Sequence, residues 1–309
     1  MYNDKTGFGY RKQRHKIKAI RVLVMAVLII AGSISVFSII NKKTNNEKRE
    51  ILTLWEQKNF ESAYNLSYLA LKEKPMDYFL LTINGFSAFQ LGISQINNQN
   101  MLVYIDESIR QLRKALLLKK SNNDGRVYYV LGKAYYYKGQ GYSDLAIKYL
   151  ENASSLSYNA ADIYEYLGLA YAACGDYRAS VEAFTQLLTH EIHASDTLLL
   201  SIARSYIALN EYVLATDYLL RCVNISRDSQ AITVARFLLA EIFKISGDYD
   251  NAENLYLSIL NDSGENAEVR YQLGELYNLK GDTTRARSEW RLAYRQDPAH
   301  EKALARLYR

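Results

Sequence analysis

The sequence predicts an all-α chain: a solenoid of about seven helix–turn–helix units preceded by one membrane-spanning helix. Three observations predict it. A Leu/Ile-small-x-x-aromatic signature recurs at near-constant intervals, one uncharged apolar run lies near the N-terminus, and helix breakers are scarce. The 309 residues include only 2 Pro and 15 Gly but 27 Tyr, with 49% hydrophobic residues overall. Sandwiches and barrels need frequent turn residues, so long helices fit this composition better.

In chain order, residues 1–20 form a basic tail, 21–41 the membrane helix and 42–46 a linker. Residues 1–43 carry nine Lys and Arg against Asp4, a net +8, so the remaining residues sum to −3 within the overall +5. The bulk of the chain is therefore mildly acidic and lacks the electrostatic footprint of a nucleic-acid binder. Val22 to Ile40 is a run of 19 residues without a charge. As a helix it reaches about 28 Å, close to a ~30 Å hydrocarbon core. Arg11, Lys12, Arg14, Lys16, Lys18 and Arg21 crowd its N-terminal flank, against Lys42, Lys43, Lys48 and Arg49 on the other side. The positive-inside bias keeps the tail cytoplasmic and sends the repeats across the membrane, into the periplasm if the membrane is a bacterial inner membrane. A signal peptide cleaved after Ala31, Ser33 or Ser35 is the rival reading, but signal cores are shorter than this run.

The signature then recurs at Leu131-Gly132/Tyr135, Leu167-Gly168/Tyr171, Ile202-Ala203/Tyr206, Leu239-Ala240/Phe243 and Leu273-Gly274/Tyr277, at intervals of 36, 35, 37 and 34 residues. A second apolar pattern with steps of three and four follows each one, as in Ala286/Trp290/Ala293, which marks one face of a second helix. Gly175, Asn210, Gly247 and Gly281 fall where the first helix must stop, a place that favours left-handed backbone. Asp176, Glu211, Asp248 and Asp282 follow, at the positive end of the second helix. Pro75 and Pro298 come after second helices, where they interrupt no hydrogen-bond ladder. Two earlier units are less regular: "NFESAYNLSYLALKEKP" supplies one second helix, and "INGFSAFQLG" a first helix whose partner is delayed by about eleven extra residues at Ile93 to Tyr104. The unit boundaries are 47–77, 78–122, 125–160, 161–195, 196–231, 232–266 and 267–298, with a capping helix over 299–309.

This pattern resembles the tetratricopeptide repeat, a 34-residue helix–turn–helix unit. Leu273, Gly274, Tyr277, Gly281, Asp282, Ala286, Trp290, Ala293 and Pro298 sit at that family's signature offsets. The resemblance implies a right-handed α-solenoid and a curved face, lined by first helices, that binds protein or peptide partners. By resemblance that face takes Arg126, Tyr129, Lys133, Tyr136 and Tyr137 in the third unit, Glu165 and Leu169 in the fourth and Arg204 in the fifth. It takes Phe237 and Glu241 in the sixth, and Tyr271 and Glu275 in the seventh. Cations beside aromatic rings in the third unit suit a peptide carrying carboxylates and apolar side chains, and the charges of Arg126 and Lys133 are expected to reach solvent. The carboxylate clamp of co-chaperone relatives is absent, since Tyr129, Lys133, Tyr166, Thr197 and Ser201 stand at its positions.

No catalytic constellation, phosphate loop or cofactor motif is present, so neither an enzyme nor a cofactor is expected. His190 and His193 are the nearest approach to a metal pair, and a solvated inter-repeat segment explains them as well. Cys174 and Cys222 have no zinc spacing and fall in different repeats, so buried thiols are expected. The reading is a membrane-anchored scaffold, open to homo- or hetero-oligomers, serving an envelope complex. A translocon-associated factor, a spirochaete-type flagellar collar component and a cytosolic adaptor of inverted topology are the alternatives.

Overall fold

Paired helices follow one another along the chain, as the repeat spacing predicts. The structure is a computed structural model that describes residues 45–118, 124–190 and 194–308, apart from the side chains of Gln140, Thr189, His190 and Ser263. The predicted membrane span at 21–41 lies outside the described residues, as do the whole basic tail at 1–20 and His193. Among the described residues every regular element is helical, and no helix is long and apolar enough to cross a membrane. The chain divides into two compact units, Met1–Asn122 and Asn123–Arg309.

The first unit holds α1 (45–56), α2 (Phe60–Glu73), α3 (Tyr78–Ile93) and α4 (Asn98–Leu116). Helix α1 already covers residues 45 and 46, the last two of the stretch assigned to a linker. Asn59 and Asp77 accept backbone N–H bonds from Ser62 and Leu80, capping α2 and α3. Lys48 reaches from α1 to the same Asp77 carboxylate at 2.6 Å, tying the first helix to the third. Ile51, Leu71, Leu80, Leu81 and Ala115 form the core between them. The extra residues near Ile93 lengthen the hairpin: α3 and α4 have 16 and 19 residues, joined by a short turn that Asn97 caps.

The second unit runs α5 (Gly125–Lys138), a 3-10 turn (Gln140–Tyr142), α6 (Ser143–Ser155), α7 (Ile163–Ala173), α8 (Tyr177–His190) and α9 (Asp196–Ala208). It continues with α10 (Tyr212–Ile225), α11 (Ser229–Ser246), α12 (Tyr249–Ser263), α13 (Ala267–Leu279), α14 (Thr283–Gln296) and α15 (Glu301–Leu307). Each helix packs on its neighbours in sequence, and the first helices α5, α7, α9 and α11 also touch in succession. That is nearest-neighbour stacking, in which each hairpin buries its apolar face against the next. The boundary expected between 231 and 232 instead falls inside α11, because the Asp228 carboxylate caps that helix by accepting from the Gln230 N–H.

The turns obey the sequence rules closely. Gly175, Gly247 and Gly281 have φ near +81°, and Asn210 has φ 60°. Asp176, Asp248 and Asp282 accept N–H bonds from Ala179, Asn251 and Arg285. Glu211 makes no such bond, because its longer side chain overshoots the first turn. Small residues stand where paired helices cross: a Cβ on Gly168 would lie 2.5 Å from Phe184, and one on Gly274 2.5 Å from Trp290. The expectation that both thiols are buried holds only for Cys222. Cys174 is exposed, because it terminates α7 where the chain turns outward.

Candidate peptide-binding face

Successive first helices of the second unit place residues of equivalent repeat position side by side, about one repeat apart in sequence. Polar side chains at those positions reach from one first helix to the next. This arrangement decides which of the sequence-predicted residues remain open to a partner.

Between α5 and α7 the contacts are closed. The Tyr129 hydroxyl donates to Asp162 Oδ1 at 2.5 Å, and Lys133 Nζ donates to Asp162 Oδ2 at 2.7 Å and to the Tyr129 hydroxyl at 3.0 Å. The same ammonium lies 4.2 Å from the Tyr166 ring centroid and 5.0 Å from that of Tyr129. The Tyr137 and Tyr166 hydroxyls meet at 3.0 Å, and Tyr136 packs edge-on against Tyr166 at 5.3 Å. Burial, then the neighbouring acid or tyrosine, pushes the hydroxyl pKa of Tyr129 and Tyr166 far above the ordinary tyrosine range, so both are neutral. Glu165 is half-buried beside these rings and adds to the upward push on Tyr136 and Tyr166.

The expectation that Lys133 reaches solvent is therefore wrong. Its side chain is 11% exposed, because Asp162 and two aromatic rings supply what water would. Arg126 is 63% exposed, as expected, but its guanidinium turns back onto the helix cap, with Nε and Nη2 each 2.9 Å from Asp124. Asp162 was missed from sequence. It precedes α7 at a capping position yet makes no cap bond there, its carboxylate being held by the preceding repeat. A search for opposite charges one repeat apart would have found the pair.

The last first helix is also occupied. Arg306 of α15 grips Glu275 with two guanidinium bonds, at 2.8 and 2.5 Å, and the His300 ring lies 5.1 Å from that of Tyr271. His300 Nε2 is 3.1 Å from Glu268. Tyr271 and Glu275, expected to face a peptide, instead seat α15, which stacks as the next first helix would. On α11, Glu241 accepts from the buried Tyr256 hydroxyl and from Lys244 at 2.7 Å, and Lys244 continues to Gln272 at 2.6 Å. Tyr256 is held neutral by burial and by Glu241.

Between these two closed regions the face is open. Arg204 on α9 is exposed and has no carboxylate partner among the described residues. It edges a depression of about 320 Å³ whose walls are Val234, Phe237 and Leu238 of α11 and Val269 of α13, with Thr233, Asn266 and Glu268 at its margin. Leu169 is half-buried against the neighbouring core of Phe184 and Leu198. Most of the predicted residues thus fall into three groups: the α5–α7 tyrosine network, the open Arg204 depression, and the α15 seat. Arg126 turns instead to its own cap, Glu241 pairs with Tyr256 and Lys244, and Leu169 packs on the core.

The sequence matches the tetratricopeptide repeat family over residues 129–197 and 236–301. "Lipopolysaccharide assembly protein B" of Escherichia coli K12 is 27% identical over 176 residues, which is 55% of this chain and 44% of that protein. The chain thus spans under half the length of the curated relatives it matches. The C-terminal part of a repeat protein from Cytophaga hutchinsonii superposes with a TM-score of 0.61 at 15% identity, covering 84% of this chain and 99% of its own. YrrB, described as a repeat protein with an unusual peptide-binding site, superposes with a TM-score of 0.50 at 22% identity over 63% of this chain and 96% of its own. The structural likenesses show the fold, and the family match places tetratricopeptide repeats at residues 129–197 and 236–301.

Proposed function

We propose that these repeats form a non-catalytic interaction scaffold that takes an extended segment of a partner protein at the Arg204 depression. The observation that carries the reading is the exposed guanidinium beside an apolar hollow, on a face otherwise closed by its own contacts. A guanidinium fork fits a carboxylate with two parallel hydrogen bonds, and Phe237, Val234 and Leu238 fit a large apolar side chain beside it. The favoured ligand is thus a peptide with an acidic residue one or two positions from a large apolar one. The Escherichia coli relative is named for lipopolysaccharide assembly, and we extend the same setting to this chain: assembly of an envelope complex, with the repeats tethered by Val22–Ile40 on the extracytoplasmic side.

Two experiments test this. Fluorescence anisotropy against acidic–apolar peptides should give saturable binding that Arg204→Glu weakens at least tenfold, about 1.4 kcal/mol, with helicity unchanged. Equal affinity in the variant removes the proposed site. A phosphatase that is active only outside the cytoplasm, fused at the C-terminus, should be active, and an expressed but inactive fusion removes the tethered topology.

A further inference from the structure

A second hollow lies at the junction of α13, α14 and α15. It encloses about 520 Å³ and is lined by Asn278, Thr283, Thr284, Arg287, Arg291 and Arg306, with Trp290 as its floor. That volume falls in the range of small-molecule sites. Its character is cationic. Arg287 and Arg291 stand one helical turn apart on α14, an arrangement in which like charges repel unless an anion lies between them. Both are exposed, and neither has a carboxylate partner among the described residues.

The nearby acids are already taken. Glu289 accepts from Arg270 at 2.8 Å, Asp282 from Arg285 Nε at 2.6 Å, and Glu253 lies 2.8 Å from Lys280. Arg306 lies over Trp290, 5.5 Å from the ring centroid, and commits its fork to Glu275. That pair is an internal reference, since one guanidinium suffices for one carboxylate. Two further guanidinium groups around a single hollow, beside two threonine side chains and an amide, suit an anion with more than two acceptor oxygens and more than one charge. A phosphate group has both.

The geometry points to this hollow as a binding site for a phosphomonoester, with Arg287 and Arg291 as its charge-bearing contacts. It is independent of the peptide reading, because it shares no residue with the Arg204 depression.

Trp55 and Trp290 are the only tryptophans, so a Trp55→Phe background leaves Trp290 as the sole indole reporter on the floor of the site. The full-length chain in that background is titrated, at constant ionic strength, with inorganic phosphate, glycerol 3-phosphate, and neutral-detergent micelles with and without lysophosphatidic acid. The expected result is a saturable change in Trp290 emission. R287Q/R291Q should weaken it at least tenfold, and R295Q, which removes an exposed charge of the same helix outside the hollow, less than threefold. A response to both soluble and micellar phosphate supports the shared chemistry. Response to the micelles alone assigns the ligand to a lipid headgroup, and response to soluble phosphate alone assigns it to a free metabolite. No saturable response to any phosphate probe overturns the site. So does undiminished binding by R287Q/R291Q, or an equal loss in R295Q.

Discussion

Substituting Gly274 by Ala tests the helix crossing on which each repeat depends. A Cβ there would sit 2.5 Å from both Cδ1 and Nε1 of Trp290 and 3.1 Å from the Ala286 carbonyl oxygen. Carbon contacts are optimal near 3.5–4.0 Å, so the indole must retreat by about 1 Å. It has little room, being 6% exposed among Leu273, Tyr277 and Ala286. Two effects oppose each other. Alanine in a helix interior gains about 0.5–1 kcal/mol over glycine, while overpacking costs about 1–3 kcal/mol. Overpacking outweighs the gain in helix propensity, leaving a net loss of about 1–2 kcal/mol. Urea unfolding followed by far-ultraviolet circular dichroism measures it. Repeating the change in a Trp290→Ala background isolates the cause, because a truncated side chain leaves space for the methyl, whereas leucine at the equivalent position 150 lies as close to a Cβ on Gly132. No hydrogen bond complicates that background, since the indole N–H has no acceptor among the described residues. Coupling of about 1–2 kcal/mol between the two positions is expected. A neutral or stabilising Gly274→Ala would refute the close crossing, and so would the same loss in both backgrounds.

Other consequences can be checked on the same material. Replacing Lys133 by Met should destabilise the chain by about 1–2 kcal/mol, because Asp162 keeps a half-buried charge without its partner, and a Lys133→Met/Asp162→Asn pair should lose less than the two single changes summed. Glu253 is partly buried, which alone would raise its pKa, but hydrogen bonds from Lys280 and Tyr277 and the charges of Lys280 and Arg285 hold it below the usual carboxylate value. Its contribution is therefore complete at neutral pH and lost as pH falls through that depressed value, so Lys280→Ala should flatten the acid limb of stability measured by urea midpoints. Tyr256, raised by burial and by Glu241, gives the opposite sign: its contribution is complete below the ordinary tyrosine pKa and is lost as pH rises above it. Absorbance at the phenolate band should show Tyr129, Tyr166 and Tyr256 ionising only as the chain unfolds in alkali. In native protein the exposed Cys174 should react promptly with a thiol reagent, while Cys222, buried and with its thiol pKa raised, should react only on unfolding.

Most of the architecture was legible because it depends on local and periodic features. Left-handed residues at 175, 210, 247 and 281, caps at 176, 248 and 282, and small residues at helix crossings each leave a trace at a fixed offset. The binding face was less legible, because a repeat position states which way a side chain leaves its helix but not what meets it there. Lys133 and Arg204 hold the same register, yet Lys133 is met by Asp162 from the following helix, and Arg204 by no carboxylate among the described residues. Glu275 looked available until α15 brought Arg306 opposite it. The cleft at Arg287 and Arg291 was missed altogether, since a single turn of α14 gives no sign that α13 and α15 close around it.

The most direct test of the scaffold reading is site-specific photo-crosslinking in cells. A benzophenone side chain at position 237, on the wall of the Arg204 depression, is compared with one at position 220, exposed on α10. A docking depression should yield discrete adducts to envelope-assembly proteins from position 237 alone, abolished by Arg204→Glu. Adducts formed equally from position 220, or persisting in Arg204→Glu, would contradict it.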